Sequence, residues 1–141
     1  MASNLSLVRK AFTDLGRDMD SGVRAARDEM MAAVIQLSKE EIKGQRGKGE
    51  KATPGQPPMN VTGNLRRSIR GERFTTGFAN YSAIVGPTME YSRAVELGGK
   101  YAPKSWRGTS AMQGFPYMSP AFKKFESSGL LQAILVKNLV R

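Results

Sequence analysis

Along the first third of the chain the apolar residues recur in steps of three and four: Leu5, Val8, Phe12, Leu15, Met19, Val23, Ala26, Met30, Ala33 and Leu37. Such steps put one apolar stripe on an α-helix, because 3.6 residues complete a turn, and leave the charged residues on the other side. Gly16 and Gly22 each weaken the helix by about 1 kcal/mol relative to alanine. Unbroken to Ile42, it would run roughly 55 Å at 1.5 Å per residue. A compact domain of this length has a radius of gyration of only about 14 Å. The helix is therefore expected either to break near the glycines or to project toward another subunit.

The pattern stops at Gly44. "GQRGKGEKATPGQPP", through Pro58, holds no large apolar residue and is dominated by Gly, Pro, Lys and Gln, which predicts a flexible basic loop over 44–60. Gly47-x-Gly49-x-x-Ala52 within it matches the dinucleotide fingerprint in form only, since a helix and not a strand precedes it. Thr62 is the expected N-cap of a short helix ending at Ile69 or Arg70. Phe74 to Gly86, "FTTGFANYSAIVG", carries the β-rich residues, with a turn or bulge at Gly77 or Ala79-Asn80. "MEYSRAVELGG" predicts a short helix closed by Gly98 and Gly99, and "KYAPKSWRGTSAMQG" a second loop. Ser119 as N-cap with Pro120 at the first helical position opens a C-terminal helix. Its core stripe would be Phe122, Phe125, Leu130, Ile134 and Leu135, with Gly129 as its weak point. This order predicts a single α+β domain over 1–141: a long N-terminal helix, a small antiparallel β-sheet with short helices, and a C-terminal helix.

Composition removes whole classes of chemistry. The 141 residues include no cysteine and no histidine, so disulfides and thiolate metal sites are excluded and the commonest general base is missing. No Ser-x-x-Lys pair and no P-loop occurs. Glu90 and Glu96 form the one carboxylate pair that invites an acid/base reading. Six residues apart on a helix they face different sides, which favours solvated carboxylates or an ion-pair partner for Arg93. No catalytic residue, metal site or cofactor is expected, and enzyme is the weakest functional class. The apolar run from Leu130 to Val136 is too short for a bilayer, and the N-terminus lacks the apolar core of a secretory signal. A soluble protein without a membrane partner, made in a cytoplasm, is the expectation.

Charge points to a partner. The formal net charge is +10, which attracts nucleic acid, anionic surfaces or acidic proteins. It is concentrated: between Lys43 and Arg73 eight basic residues stand against Glu50 and Glu72, a local +6. Lys43, Arg46, Lys48 and Lys51 fall in the loop, where they can reach a phosphate backbone or an acidic partner without fixed geometry. Arg66, Arg67 and Arg70 fall on the short helix, at about 100°, 200° and 140° from Leu65, opposite the apolar Leu65 and Ile69. The bland reading of these arginines is the wet face of a helix. No aromatic residue is interleaved and no helix-turn-helix or zinc pattern occurs, so any DNA contact would run through phosphates without sequence readout. Trp106 with Arg107 in the second loop is a candidate subunit-interface anchor, or an indole that covers the sheet. A small basic DNA-binding protein is one functional alternative at this point.

Three short pieces add a resemblance. "TGNLRRSI" (Thr62–Ile69), "YSRAVELGG" (Tyr91–Gly99) and "FPYMSPAFKKF" (Phe115–Phe125) occur here in an order and spacing that resembles the tail-completion, or tail-to-head joining, proteins of long-tailed siphophages. The resemblance covers about Thr62 to Phe125, with a helix expected on either side. It implies a structural virion protein of the head-to-tail junction, formed in the bacterial host cytoplasm and assembling as a ring, typically a hexamer. Its neighbours would be the head-closure or connector protein on one side and the tail terminator or tail tube on the other. Double-stranded DNA would pass the lumen without sequence readout. No catalytic residue is implied. The tail terminator, or another head–tail connector subunit, is the alternative within the same class. The basic loop from Gly44 is longer than that family pattern and has no role in it; a ring interface or the lumen are the places where its cations, and the three arginines, would act.

Overall fold

The N-terminal stripe forms one helix. The computed structural model describes residues 4–42, 55, 58, 63–78, 80–99 and 114–140, and in it α1 spans Asn4–Glu41 without interruption, 38 residues or roughly 57 Å. Neither glycine breaks it. Gly22 is instead a crossing point: a Cβ there would sit 2.5 Å from the Asn138 carbonyl oxygen and 3.2 Å from the Leu139 side chain. Only a residue without a side chain admits a backbone that close.

A hairpin and two C-terminal helices pack on the second half of α1. After α2 (Asn64–Ser68) come β1 (Ile69–Thr75) and β2 (Tyr81–Pro87), antiparallel and in register from Ile69↔Pro87 to Thr75↔Tyr81. The short helix therefore ends earlier than expected: Ile69 and Arg70 are already strand. Ladder pairing of Ile69 with Pro87 and Arg70 with Gly86 outweighs the propensity of a five-residue helix, which is too short to stand on its own. α2 is capped by Gly63 in a left-handed conformation (φ 74°), with no side-chain cap; the expected cap Thr62 lies outside the described residues.

A lone two-stranded ribbon is marginal in water, and here one face is laid on α1. Residues two apart share a face of a strand. Gly71 meets Met31 and Ile35 of α1, and Val85, opposite Gly71, packs against the core. Polar contacts pin the far end of the hairpin. The Tyr81 hydroxyl donates to Asp20 Oδ1 at 2.6 Å, and Arg24 Nη2 donates to that same hydroxyl at 3.0 Å. The guanidinium groups of Arg24 and Arg27 lie 5.2 and 5.3 Å from the Tyr81 ring centre, within cation–π range. Arg73 reaches Asp28 at 3.2 Å.

α3 (Ser92–Leu97) ends as expected on glycine, with Gly98 (φ 60°) donating its N–H to the Ala94 carbonyl. The expected C-terminal helix is two: α4 (Met118–Ser127) and α5 (Leu130–Leu139), separated at Gly129, whose φ of 72° is left-handed. The weak point is a corner, and it changes the stripe. Phe125 and Ile134 are buried and Leu135 packs against them, whereas Phe122 and Leu130 stay exposed. Helix α4 begins one residue before Ser119, so Ser119 and Pro120 sit inside its first turn.

Two apolar clusters make the core. Ala26, Val34, Phe125 and Ile134 form one, between α1 and the α4–α5 corner. Ile42, Ile69 and Tyr117 form the other, at the C-terminal end of α1. Val85 packs against both. The fold is α+β, with helix α1 as its spine.

Candidate functional site

The predicted basic residues divide between described and undescribed parts. Lys43, Arg46, Lys48, Lys51, Trp106 and Arg107 lie outside the described residues, as does all of 44–60 except residues 55 and 58. Arg66 and Arg67 are exposed on α2, with Leu65 half-buried and Ile69 buried beneath them. Together with Lys39 of α1 and Gly63 they line an open cleft of about 300 Å³. Arg67 Nη2 donates to Asn64 Oδ1 at 2.7 Å, which fixes one side of that cleft. No local pattern marks Lys39; it comes from the charged side of α1, and only the fold brings it beside α2. Arg70 stands apart. As a strand residue opposite Gly86 it is exposed and does not line the cleft. Three cations around a cleft suit a phosphate chain or an acidic segment as point charges, and carry no geometry for reading bases.

Glu96 has a partner that the sequence did not reveal. Its carboxylate accepts hydrogen bonds from the backbone N–H groups of Tyr117 (2.7 Å), Met118 (3.1 Å) and Ser119 (3.0 Å) and from the Ser119 hydroxyl (2.7 Å). The first N–H groups of a helix have no partner within it and carry partial positive charge. A carboxylate brought from α3 therefore caps α4, in place of the solvated group expected. The acid/base pairing with Glu90 has no support in this geometry, because Glu96 is fully engaged in holding α4. Beside it, Tyr117 is completely buried and its hydroxyl has no hydrogen-bond partner among the described residues. Burial, with the nearby Glu96 and Tyr91 adding to it, pushes that hydroxyl well above its ordinary pKa of 10.0. The neighbouring Ser92 side chain acts in the other direction.

Two apolar surfaces stand open. An open groove of about 540 Å³ runs between α1, β2, α4 and α5, lined by Val23, Met30, Val85, Phe122, Leu131 and Leu139 among others. The N-terminal half of α1 is the second. Leu5, Val8, Phe12, Leu15 and Met19 are exposed, and Phe78 from the hairpin turn is 74% exposed beside them. The five α1 residues belong to the predicted stripe; the sequence did not show where its cover would end. Among the described residues no cluster of three or more acidic groups able to hold a metal occurs, and no helix is long and apolar enough to cross a membrane. No family model, curated protein or solved structure matches the chain.

Proposed function

We propose that this chain is a structural subunit of a tailed-phage head-to-tail junction, assembling as a ring that joins capsid neck to tail and lets DNA pass. The observation that carries the reading is where the three motif segments meet. Leu65 and Ile69 from the first, Val95 from the second and Tyr117 and Met118 from the third pack in one cluster with Ile42. Glu96 of the second segment caps the helix of the third. Residues that resemble a family signature are thus used to hold one another in place. A signature of that kind fits a protein whose product is a shape. The basic cleft of Lys39, Arg66 and Arg67 supports a surface facing DNA or an acidic neighbour.

The test is genetic. A phage carrying this gene but with it silenced should accumulate DNA-filled heads and finished tails that remain unjoined, and a plasmid copy should restore joined particles. Normal infectious particles from the silenced phage would overturn the proposal. The DNA-binding alternative predicts tight, salt-sensitive duplex binding by the isolated chain and intact particle joining without it.

A further inference from the structure

We infer that the exposed N-terminal seam of α1 is an assembly arm, which docks head-to-tail on the apolar groove of a second copy of this chain. The direction of the contact rests on the ring reading. The surfaces themselves are read from the fold.

The seam continues the core. At 100° per residue, Leu5, Val8, Phe12, Leu15 and Met19 fall on the same face as Ala26, Met30, Ala33 and Leu37. That face is covered by α4 and α5 as far as Gly22, where the end of α5 crosses. Beyond Met19 the same stripe runs on uncovered for about 20 Å. Its spacing, alternating three and four, is the heptad seam by which one helix seats its side chains on a helical partner.

Area says that the partner is macromolecular. Phe12 is 71% exposed, and the other four seam residues and Phe78 keep about half of their surface or more. At roughly 200 Å² for a large apolar residue, this is about 700–800 Å². The largest apolar patch on an ordinary monomer is about 300–600 Å², and a stable interface buries about 800 Å² on each partner.

A second copy offers what the seam lacks. Its groove is apolar and, with Met30 and Met31 among its walls, adaptable to aromatic knobs. Seam and groove lie at successive stations along one helix. Docking the first on the second is therefore a heterologous contact, repeated from copy to copy, the type that closes rings.

Sedimentation velocity on the full chain and two variants tests this. Wild type should associate with rising concentration. Phe12→Asp with Leu15→Asp removes the arm, Phe122→Asp spoils the groove, and each should weaken association by roughly 30-fold or more. Circular dichroism should show each variant as helical as wild type, since all three positions are exposed; for a groove variant that unfolds, Phe122→Ser replaces it. Mixed in equal amounts, the two variants should form a dimer that grows no further, because one intact arm meets one intact groove. A monomeric wild type, or an arm variant that associates normally, overturns the arm. A mixture that stays monomeric overturns the head-to-tail contact, and a groove variant that associates as wild type does overturns it in favour of a symmetric arm-to-arm pair. None of these results touches the virion role, which the silenced phage tests by itself.

Discussion

Replacing either glycine of α1 by alanine is the same chemical change, yet the structure predicts opposite signs. At Gly16 the new Cβ would lie 3.7 Å from the Phe78 ring, an ordinary contact. The helix then keeps the full propensity gain of about 1 kcal/mol. At Gly22 the same gain is set against a Cβ 2.5 Å from the Asn138 carbonyl oxygen and 3.2 Å from Leu139. The backbone of α5 would have to retreat by close to an ångström, and overpacking of that kind costs about 1–3 kcal/mol, along with contacts around Ile134 and Leu135. The net expectation is a stabilisation of about 1 kcal/mol for Gly16→Ala and a destabilisation of about 1–2 kcal/mol for Gly22→Ala. Urea unfolding followed by circular dichroism resolves the two, as shifts of the midpoint with an unchanged slope. Equal stabilisation by both would refute the crossing of α5 at Gly22, and with it the point where the cover of α1 ends.

Glu96→Ala should cost about 2–3 kcal/mol, since three helix-start N–H groups lose a charged acceptor; a urea midpoint within error of wild type would contradict the cap. Tyr117→Phe should leave stability at pH 7 unchanged or raise it by about 1 kcal/mol, because the hydroxyl removed is buried with no hydrogen-bond partner among the described residues. The raised pKa of Tyr117 has a definite sign: the unfolded tyrosine ionises above pH 10 while the folded one keeps its proton, so stability falls as pH rises past 10. Thermal melts between pH 9 and 11 should show a shallower loss for Tyr117→Phe than for wild type, and parallel losses would count against the burial. If the chain binds duplex DNA through its basic cleft, serine at Lys39, Arg66 and Arg67 together should reduce the log–log salt slope by about 2.7, three phosphate contacts. The fold should be unaffected, and an unchanged slope would place the DNA contact elsewhere.

What the sequence made legible was governed by local period. The stripe of α1, the glycine end of α3 and the second strand with the turn before it all follow from spacing within one element, and all are present, whereas most of β1 lies before the expected β-rich stretch. Gly129 was visible as weak, but whether it bends or breaks a helix depends on what α4 and α5 pack against, and here both fold back on α1. The same dependence misplaced Ile69 and Arg70, because their fate was decided by Pro87 and Gly86 on another strand. Glu96 shows the limit most clearly. Its cap joins residues more than twenty positions apart, and no local pattern separates such a carboxylate from one facing water. Of the candidate site, Arg66 and Arg67 sit where the wheel placed them. Lys39 and the apolar groove exist only once helices are packed, so no window along the chain could have shown them.

The role proposed for this chain is to build the junction between head and tail. Averaged cryo-electron microscopy density of the neck, from particles whose genome carries this gene, tests it most directly. A ring of copies around the DNA channel is expected, each fitted by the 38-residue helix with the hairpin and the α4–α5 corner packed on its C-terminal half. A neck filled by other chains, in purified particles that lack this one, would contradict it.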